Sequence, residues 1–242
     1  MISDESAAVP AGRSYEAVLR AIEADLKSGK IKVGDHLPGE RALAVDHGIS
    51  RASVRDAIRI LDVMGVVRTA VGSGPKAGAV VVANPAAGLA STLRLHMATS
   101  HFPVADIVQT RVMMESWAAV EAAARSHDAA VMARLAGLLD AMAQPAMGRA
   151  AFHVADAEFH VLLSSLAGNA VVTAMMESLR AAIAAYVSES VAGDEMWAAI
   201  VPVLRSQHQD IMAAVANHDG GTAAQLLRNH IEWFHAQTNE AI

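Results

Sequence analysis

The chain has 242 residues, of which 53% are hydrophobic, and its formal net charge is −6. This length suits one large domain or two ordinary ones. The absence of cysteine excludes disulfides and thiolate metal sites and favours a reducing cytoplasm. No apolar run reaches the roughly 18 residues of a membrane helix, and residues 1–13 lack the pattern of a secretory signal.

The charge is unevenly distributed along the chain. Residues 1–82 contain 11 basic and 10 acidic side chains, whereas the remainder has 8 basic and 15 acidic ones. Nine of the 11 histidines also lie beyond residue 82. If the first region binds nucleic acid, it must therefore do so through local clusters of arginine rather than through a strongly basic domain.

The first region begins with small, polar, aperiodic residues, which predict a disordered arm over residues 1–13. A helical period follows over residues 15–28, and a short helix is predicted from Pro38 to Asp46. Ser50 is predicted to cap a third helix that ends near Met64.

Two β-rich runs follow this third helix, at residues 66–68 and 79–82, and they flank a glycine-rich tip. Such a pattern predicts a two-stranded β-wing. Three helices and a wing together predict a winged helix-turn-helix domain over residues 14–82.

Beyond a linker predicted at residues 83–87, the pattern becomes helical and rich in alanine. We predict an all-α antiparallel helical bundle over residues 88–240. Its helices are predicted near residues 86–100, 104–127, 129–143, 150–167, 169–190, 195–217 and 221–238, with breakers between most of them. Pro202 is predicted to kink or restart the sixth of these helices.

The third helix of the first region has features that suit the major groove of DNA. Arg51 and Arg55 are one turn apart and lie away from the buried stripe of Val54, Ile58 and Leu61. Arginine can donate two hydrogen bonds to a guanine edge, and serine hydroxyls bind phosphates.

In the bundle, Asp156 and His160 are four residues apart and therefore project from one face of a helix. His208 and His230 each lie among apolar neighbours on two later helices. Three imidazoles and one carboxylate that converge would hold Zn²⁺, Ni²⁺ or Mn²⁺ and leave coordination positions open. His153, one turn before Asp156, is an outer candidate.

The order and spacing of these motifs resemble a known family. L-P-G-E-R-x-L-A, then G-I-S-R-A-S-V-R-D-A-I-R-x-L and a glycine-rich wing, resemble the GntR family of bacterial regulators. The helical region resembles the FadR branch, whose effector domain is called FCD, through R-V-M-M-E at 111–115, D-A-E-F-H at 156–160 and A-G-N at 167–169. The resemblance covers residues 14–238.

The resemblance implies roles for particular residues. It assigns DNA contacts to Arg41, Ser50, Arg51, Ser53, Arg55 and Gly72. It assigns the metal to Asp156, His160, His208 and His230, and the effector to Arg111 and Asn169. The chain departs from the family at Gly39, where serine is common, so that a cap or phosphate contact is expected to be missing there.

We therefore expect a ligand-responsive transcription regulator, a cytoplasmic repressor that binds a double-stranded DNA operator as a homodimer. Its bundle would bind a divalent metal, with zinc favoured, and a small carboxylate or sugar acid. Two alternatives stay open: a metal-dependent hydrolase, since such a site can activate water, and a metal that is only a structural staple. For Arg111, the simpler interpretation is an ion pair with Glu115.

Overall fold

The structure is a computed structural model that describes residues 11–70, 78–99, 101–125, 127–191 and 193–239. The chain forms two compact units that divide between Gly88 and Leu89. The first ten residues of the predicted arm lie outside the described residues, and its last three belong to the first helix, which begins at Ala11.

Within its described residues, the first unit contains three helices and one antiparallel pair of strands, which confirms the predicted winged helix-turn-helix. The elements are α1 (Ala11–Lys27), α2 (Glu40–His47), α3 (Arg51–Val63), β1 (Val67–Ala70) and β2 (Gly78–Val81). The core includes Val18, Ile22, Leu43, Val54, Ile58 and Leu61. Because the apolar stripe of α3 enters this core, the charged side of α3 faces outward.

The turn between α2 and α3 is determined by two residues. Gly48 has a φ of 63°, a left-handed conformation that ends α2 and favours glycine. Ser50 then caps α3, since its Oγ accepts a hydrogen bond from the Ser53 backbone N–H at 3.1 Å. At the start of α2, Gly39 supplies no side-chain cap, as expected from its departure from the family pattern.

A second glycine closes the turn after α3. Gly65 has a φ of 73°, and a Cβ at this position would overlap the backbone carbonyl of Asn84. α4 (Pro85–Ala98) begins directly after Asn84, because a proline suits the first turn of a helix. The last three residues of the predicted linker, 85–87, are therefore helical.

Among the described residues of the second unit, every secondary-structure element is a helix, which confirms the predicted all-α bundle. After α4, its helices are α5 (Val104–Ala123), α6 (Ala129–Ala143), α7 (Arg149–Ser165), α8 (Ala170–Ser190), α9 (Asp194–Ala216) and α10 (Gly220–Asn239). Along the bundle α5 packs against α10, and α7 packs against α6, α8 and α5. The core between them includes Leu135, Phe152, Phe159, Leu204, Ile211 and Leu227.

Pro202 does not restart a helix, because α9 is continuous from Asp194 to Ala216. Proline removes one backbone donor from the helix, and here its ring lies on the exposed side. Val201 and Leu204 beside it are buried and hold both halves of α9 against the core. Among the described helices, none has both the length and the apolar character needed to cross a membrane.

Candidate metal centre and DNA-binding surface

The bundle brings together the four residues for which the sequence predicts metal binding. Asp156 and His160 come from one face of α7, His208 from α9 and His230 from α10. One ligand atom from each lies within 4.8 Å of the others, and all three histidines are buried. The four residues therefore form a cluster that could hold a metal ion.

The nitrogens and oxygens of this cluster face one another at short range. His208 Nε2 lies 3.0 Å and His160 Nε2 lies 3.6 Å from the same oxygen, Oδ1 of Asp156. His160 Nε2 is also 3.2 Å from Nε2 of His230. Neither ring nitrogen of His208 makes a hydrogen bond among the described residues, although both are buried.

Outer partners determine which ring nitrogen of two histidines points into the cluster. Nδ1 of His160 donates to Oε2 of Glu115, and Nδ1 of His230 lies 2.8 Å from Oε1 of Gln207, which accepts. With Nδ1 engaged by these partners, each ring turns its Nε2 toward the cluster. Carboxylate and carbonyl partners of this kind orient histidine ligands in metal sites.

This arrangement is suited to a cation. The Nε2 atoms of His160 and His230 face each other at 3.2 Å, and the ring nitrogens of His208 are buried with no hydrogen bond among the described residues. A cation between the imidazoles and Asp156 would bind one nitrogen of each ring and one carboxylate oxygen. Three imidazoles and one carboxylate are a donor set that suits zinc and neighbouring divalent metals, so the residues fit the ion.

Arg180, on α8, is a member of the site that sequence reasoning missed. Its Nη2 donates to Oδ2 of Asp156 at 2.6 Å and to the backbone carbonyl of the same residue at 2.9 Å. Its Nε is buried and makes no hydrogen bond within the described part of the chain. In the sequence, Arg180 is a single arginine within the apolar stretch from Leu179 to Ile183. This pattern does not indicate which acidic side chain the arginine contacts.

The charges of the site favour the metal-binding protonation states. Burial raises the pKa of Asp156, but the charge of Arg180 and the adjacent imidazoles outweigh this effect, and the pKa lies well below its usual value. Burial lowers the pKa of His208 and, more strongly, that of His230. Ionised carboxylate and neutral imidazoles are the forms that bind metals.

Glu115 is a second buried carboxylate, one turn after Arg111 on α5. Burial raises the pKa of Glu115, but His160 and Arg111 lower it by a larger amount, so that the pKa lies below its usual value. Nε of Arg111 donates to Oε1 of Glu115 at 2.9 Å. The ion pair expected from the spacing is present, and Glu115 also connects Arg111 to the ligand set through His160.

Arg111 also lines a small cavity beside the cluster, together with Asp156, Arg180 and His230. The cavity has a volume of about 20 Å³, which is room for about one water-sized group. His153 lines it as well, with its buried Nε2 in no hydrogen bond among the described residues. Burial lowers the pKa of His153.

Asn169, predicted to contact the effector, is not brought to this cavity. It is exposed at the start of α8, and its Oδ1 accepts hydrogen bonds from the backbone N–H groups of Val171 and Val172. Its side chain therefore serves as a helix cap, the role that a Gly-Asn helix boundary favours.

The first unit presents the predicted DNA-binding side chains on its surface. Arg51 and Arg55 are exposed on α3, and both face Glu40 at the start of α2, at 3.8 Å and 3.6 Å. The hydroxyls of Ser50 and Ser53 lie 3.0 Å apart at the start of α3. Arginines and hydroxyls thus share the exposed end of the helix that enters the major groove in helix-turn-helix proteins.

Two further residues, Arg41 and Gly72, complete the predicted set of DNA contacts. Arg41 is exposed in the first turn of α2. Gly72, predicted at the wing tip, lies outside the described residues.

A winged helix-turn-helix unit and a helical bundle with a candidate metal centre together define a DNA-binding transcription regulator. Residues 14–76 match the family described as bacterial regulatory proteins, gntR family, and residues 106–232 match the FCD domain. The chain belongs to the GntR family, and its second unit contains an FCD domain.

Relatives and solved structures agree with this assignment. The Uxu operon regulator of Haemophilus influenzae is 25% identical over 91% of this chain and 80% of its own length. The transcriptional repressor NanR of Escherichia coli is 27% identical over 89% of this chain and 81% of its own length. The Exu regulon transcriptional regulator of E. coli is 28% identical over 69% of this chain and 62% of its own length.

A GntR protein of Streptococcus agalactiae shares the fold. Its TM-score is 0.62 at 19% identity, and the match covers 92% of this chain and 99% of that one. Both matching families and these relatives are regulatory proteins. The chain is a transcription regulator and not an enzyme, so the metallohydrolase alternative is not carried further.

Proposed function

We propose that this protein, a member of the FadR branch, is an effector-responsive repressor that binds a specific DNA operator as a homodimer in the cytoplasm. Its bundle holds a divalent metal through Asp156, His160, His208 and His230, and the effector is a small carboxylate or sugar acid. Effector binding changes operator affinity, which requires only that the effector bind one arrangement of the protein better than another.

One observation carries the metal assignment. The Nε2 atoms of His160 and His230 face each other at 3.2 Å while their Nδ1 atoms are already engaged by Glu115 and Gln207. A cation held between these rings and Asp156 would accept a lone pair from one nitrogen of each ring. We favour zinc, with nickel and manganese as alternatives, since imidazole suits all three to different degrees.

The effector assignment is supported by the positive side chains beside the cluster. Arg111 and Arg180 both line the small cavity, and Nε of Arg180 has no acceptor within the described part of the chain. A guanidinium is suited to bind a carboxylate. A bound divalent cation would add a second positive centre that attracts the same anionic group.

Repression and DNA contacts follow from the family. NanR, one of the relatives, is named a repressor, and we propose that this chain also represses transcription. Arg41, Ser50, Arg51, Ser53, Arg55 and Gly72 form the proposed DNA-binding set. A helix-turn-helix usually reads two half-sites through a two-fold axis, and therefore acts as a dimer.

An exposed apolar stripe on α5 supports the homodimer. Met113, Trp117 and Val120 are exposed large apolar residues at helical spacing. Exposed apolar patches bordered by polar residues mark interaction sites. Arg228 and Glu232 of α10 border this stripe, and their opposite charges would be complementary across a two-fold axis.

Metal analysis followed by thermal denaturation tests the proposal. The protein as purified and the protein reloaded with zinc should hold about one ion for each chain. The melting temperature of the loaded protein should rise with carboxylates, and both effects should be lost in His208→Ala. His96→Ala, an exposed histidine on α4 outside the cluster, is the matched control and should behave as the wild type.

The structural-staple alternative predicts a different result. In that case the metal raises the melting temperature, but no carboxylate raises it further, and operator binding in a gel-shift titration does not respond to any acid. A carboxylate that both stabilises the loaded protein and releases the operator excludes this alternative.

A further inference from the structure

A wider groove between α7 and α8 opens beside the small cavity at the metal cluster. Its volume is about 360 Å³, against about 20 Å³ for the small cavity. The two spaces share four lining residues, His153, Asp156, Arg180 and Val187. The small cavity and the groove therefore adjoin at these residues.

The groove has a polar end and an apolar remainder. His153, Asp156 and Arg180 form the end that it shares with the small cavity. The other lining residues are all apolar: Ala150, Val154 and Ala157 on one face of α7, and Ile183, Ala184 and Val187 on α8. Five of these six are alanine or valine, whose small side chains leave the groove wide.

The sizes of the two spaces restrict what the effector can be. The small cavity has room for about one water-sized group, so a larger ligand must place the rest of its atoms in the groove. A hydroxyl placed against the buried side chain of Ile183 would lose its water without gaining a hydrogen bond, which is unfavourable. An alkyl or aryl group placed there would instead remove apolar surface from water.

We propose that the effector is a carboxylate with an apolar tail rather than a polyhydroxylated sugar acid. The carboxylate lies where the small cavity meets the groove, beside the buried Nε of Arg180, a donor without a partner among the described residues, and the buried Nε2 of His153, which likewise has none. The alkyl or aryl tail lies in the groove between α7 and α8. This inference rests on the proposed effector function of the same site and names the chemical class of the ligand.

Calorimetric titration of the full-length, zinc-loaded protein tests the inference. The probes are straight-chain carboxylates from acetate to octanoate, phenylpropionate, and the six-carbon sugar acids gluconate and galacturonate. Affinity should rise by up to about fourfold for each methylene that enters the groove. Hexanoate should therefore bind more tightly than either six-carbon sugar acid.

A matched pair of variants locates the tail. Val154 and Val171 are both valines, with exposed fractions of 69% and 72%, but only Val154 lines the groove. Val154→Gln should weaken the binding of octanoate several-fold and leave the binding of acetate unchanged. Val171→Gln should change neither, and because both side chains are exposed, neither variant threatens the fold.

The outcomes separate this inference from the proposed function. If short carboxylates or sugar acids bind in a zinc-dependent way but affinity does not rise with chain length, the apolar tail is wrong and the effector site stands. The same holds if Val154→Gln and Val171→Gln weaken octanoate equally. If no carboxylate of either class binds the zinc-loaded protein, the proposed effector site is wrong, and so is the proposal of an apolar tail.

Discussion

Nη2 of Arg180 on α8 lies 2.6 Å from Oδ2 of Asp156 on α7, while the other oxygen of the same carboxylate faces His208 at 3.0 Å. One carboxylate thus joins a buried guanidinium to the candidate metal ligands. Arg180 compensates the buried negative charge of Asp156 and holds its Oδ1 toward the three imidazoles.

Arg180→Met should therefore destabilise the metal-free protein strongly. The substitution leaves the carboxylate of Asp156 buried without its partner, which costs about 3–5 kcal/mol in free energy of unfolding. The loss should be smaller with zinc bound, because the cation offsets the same charge. Denaturant unfolding with and without zinc measures both values.

The matched control for this change is Arg134→Met. Arg134 pairs with Glu158 at the surface, where an ion pair contributes at most about 1 kcal/mol. Equal losses of stability in the two variants would contradict the role assigned to Arg180.

Glu115→Gln should weaken metal binding without removing a ligand. Glu115 accepts the Nδ1 proton of His160, and such outer partners typically account for about 10- to 100-fold in metal affinity. Competition with a chromophoric chelator measures the zinc dissociation constant. Glu121→Gln is the control, since Glu121 lies on the same helix but pairs with Arg125 at the surface. Unchanged affinity in Glu115→Gln would show that His160 needs no anionic partner.

Arg51→Ala should reduce operator affinity by about 1–3 kcal/mol and relax base preference at one position. The reason is that Arg51 lies exposed in the first turn of α3, where base edges are read. Gel-shift titrations against the operator and its single-base variants measure both effects. Arg125→Ala, an exposed arginine in the bundle, should leave both unchanged. An Arg51→Ala protein with wild-type affinity and specificity would sink the assignment of α3 as the recognition helix.

Glu40→Gln should tighten binding to non-specific DNA. Glu40 faces both Arg51 and Arg55, and its removal breaks the ion pairs of both guanidinium groups with this carboxylate. Since an exposed ion pair contributes at most about 1 kcal/mol, the gain should be up to about fivefold at low salt. Fluorescence anisotropy with a random duplex measures it, and Glu16→Gln on α1 is the control. Weaker binding in Glu40→Gln would indicate that Glu40 instead positions the arginines for DNA.

Trp117→Glu should dissociate the proposed homodimer. The substitution places a charge in the exposed apolar stripe of α5, next to Met113 and Val120, where it would be buried against the partner. Light scattering coupled to gel filtration measures the mass, and operator affinity should fall with the loss of the second half-site. Val171→Glu, an exposed valine on α8, should stay dimeric. A dimeric Trp117→Glu protein would place the interface elsewhere.

Several parts of the molecule could be predicted because their signals are local. The cap at Ser50, the left-handed turn at Gly48 and the buried stripe of Val54, Ile58 and Leu61 each depend on residues within one or two turns. The helices of the bundle follow for the same reason, since glycines, prolines and apolar periods mark most of their ends. At Pro202 the predicted restart of the helix is wrong, because α9 runs from Asp194 to Ala216 without interruption.

The metal ligands were predicted for another reason. Asp156 and His160 share a helix face by spacing alone, but His208 and His230 were chosen by resemblance to a family. The residues around them were largely missed. Arg180 and Gln207 reach the site from other helices, and no spacing within their own helices indicates which side chain they contact.

The sequence by itself therefore determined the two kinds of unit, the cap and arginines of α3, and the identities of four candidate ligands. The tertiary structure decided that Asn169 caps a helix, that Glu115 connects Arg111 to His160, and that Arg180 neutralises Asp156. It also decided that an apolar groove adjoins a polar cavity. The reason is physical: helical period and capping act between near neighbours in the chain, whereas buried charges and cavities depend on which helix faces pack together.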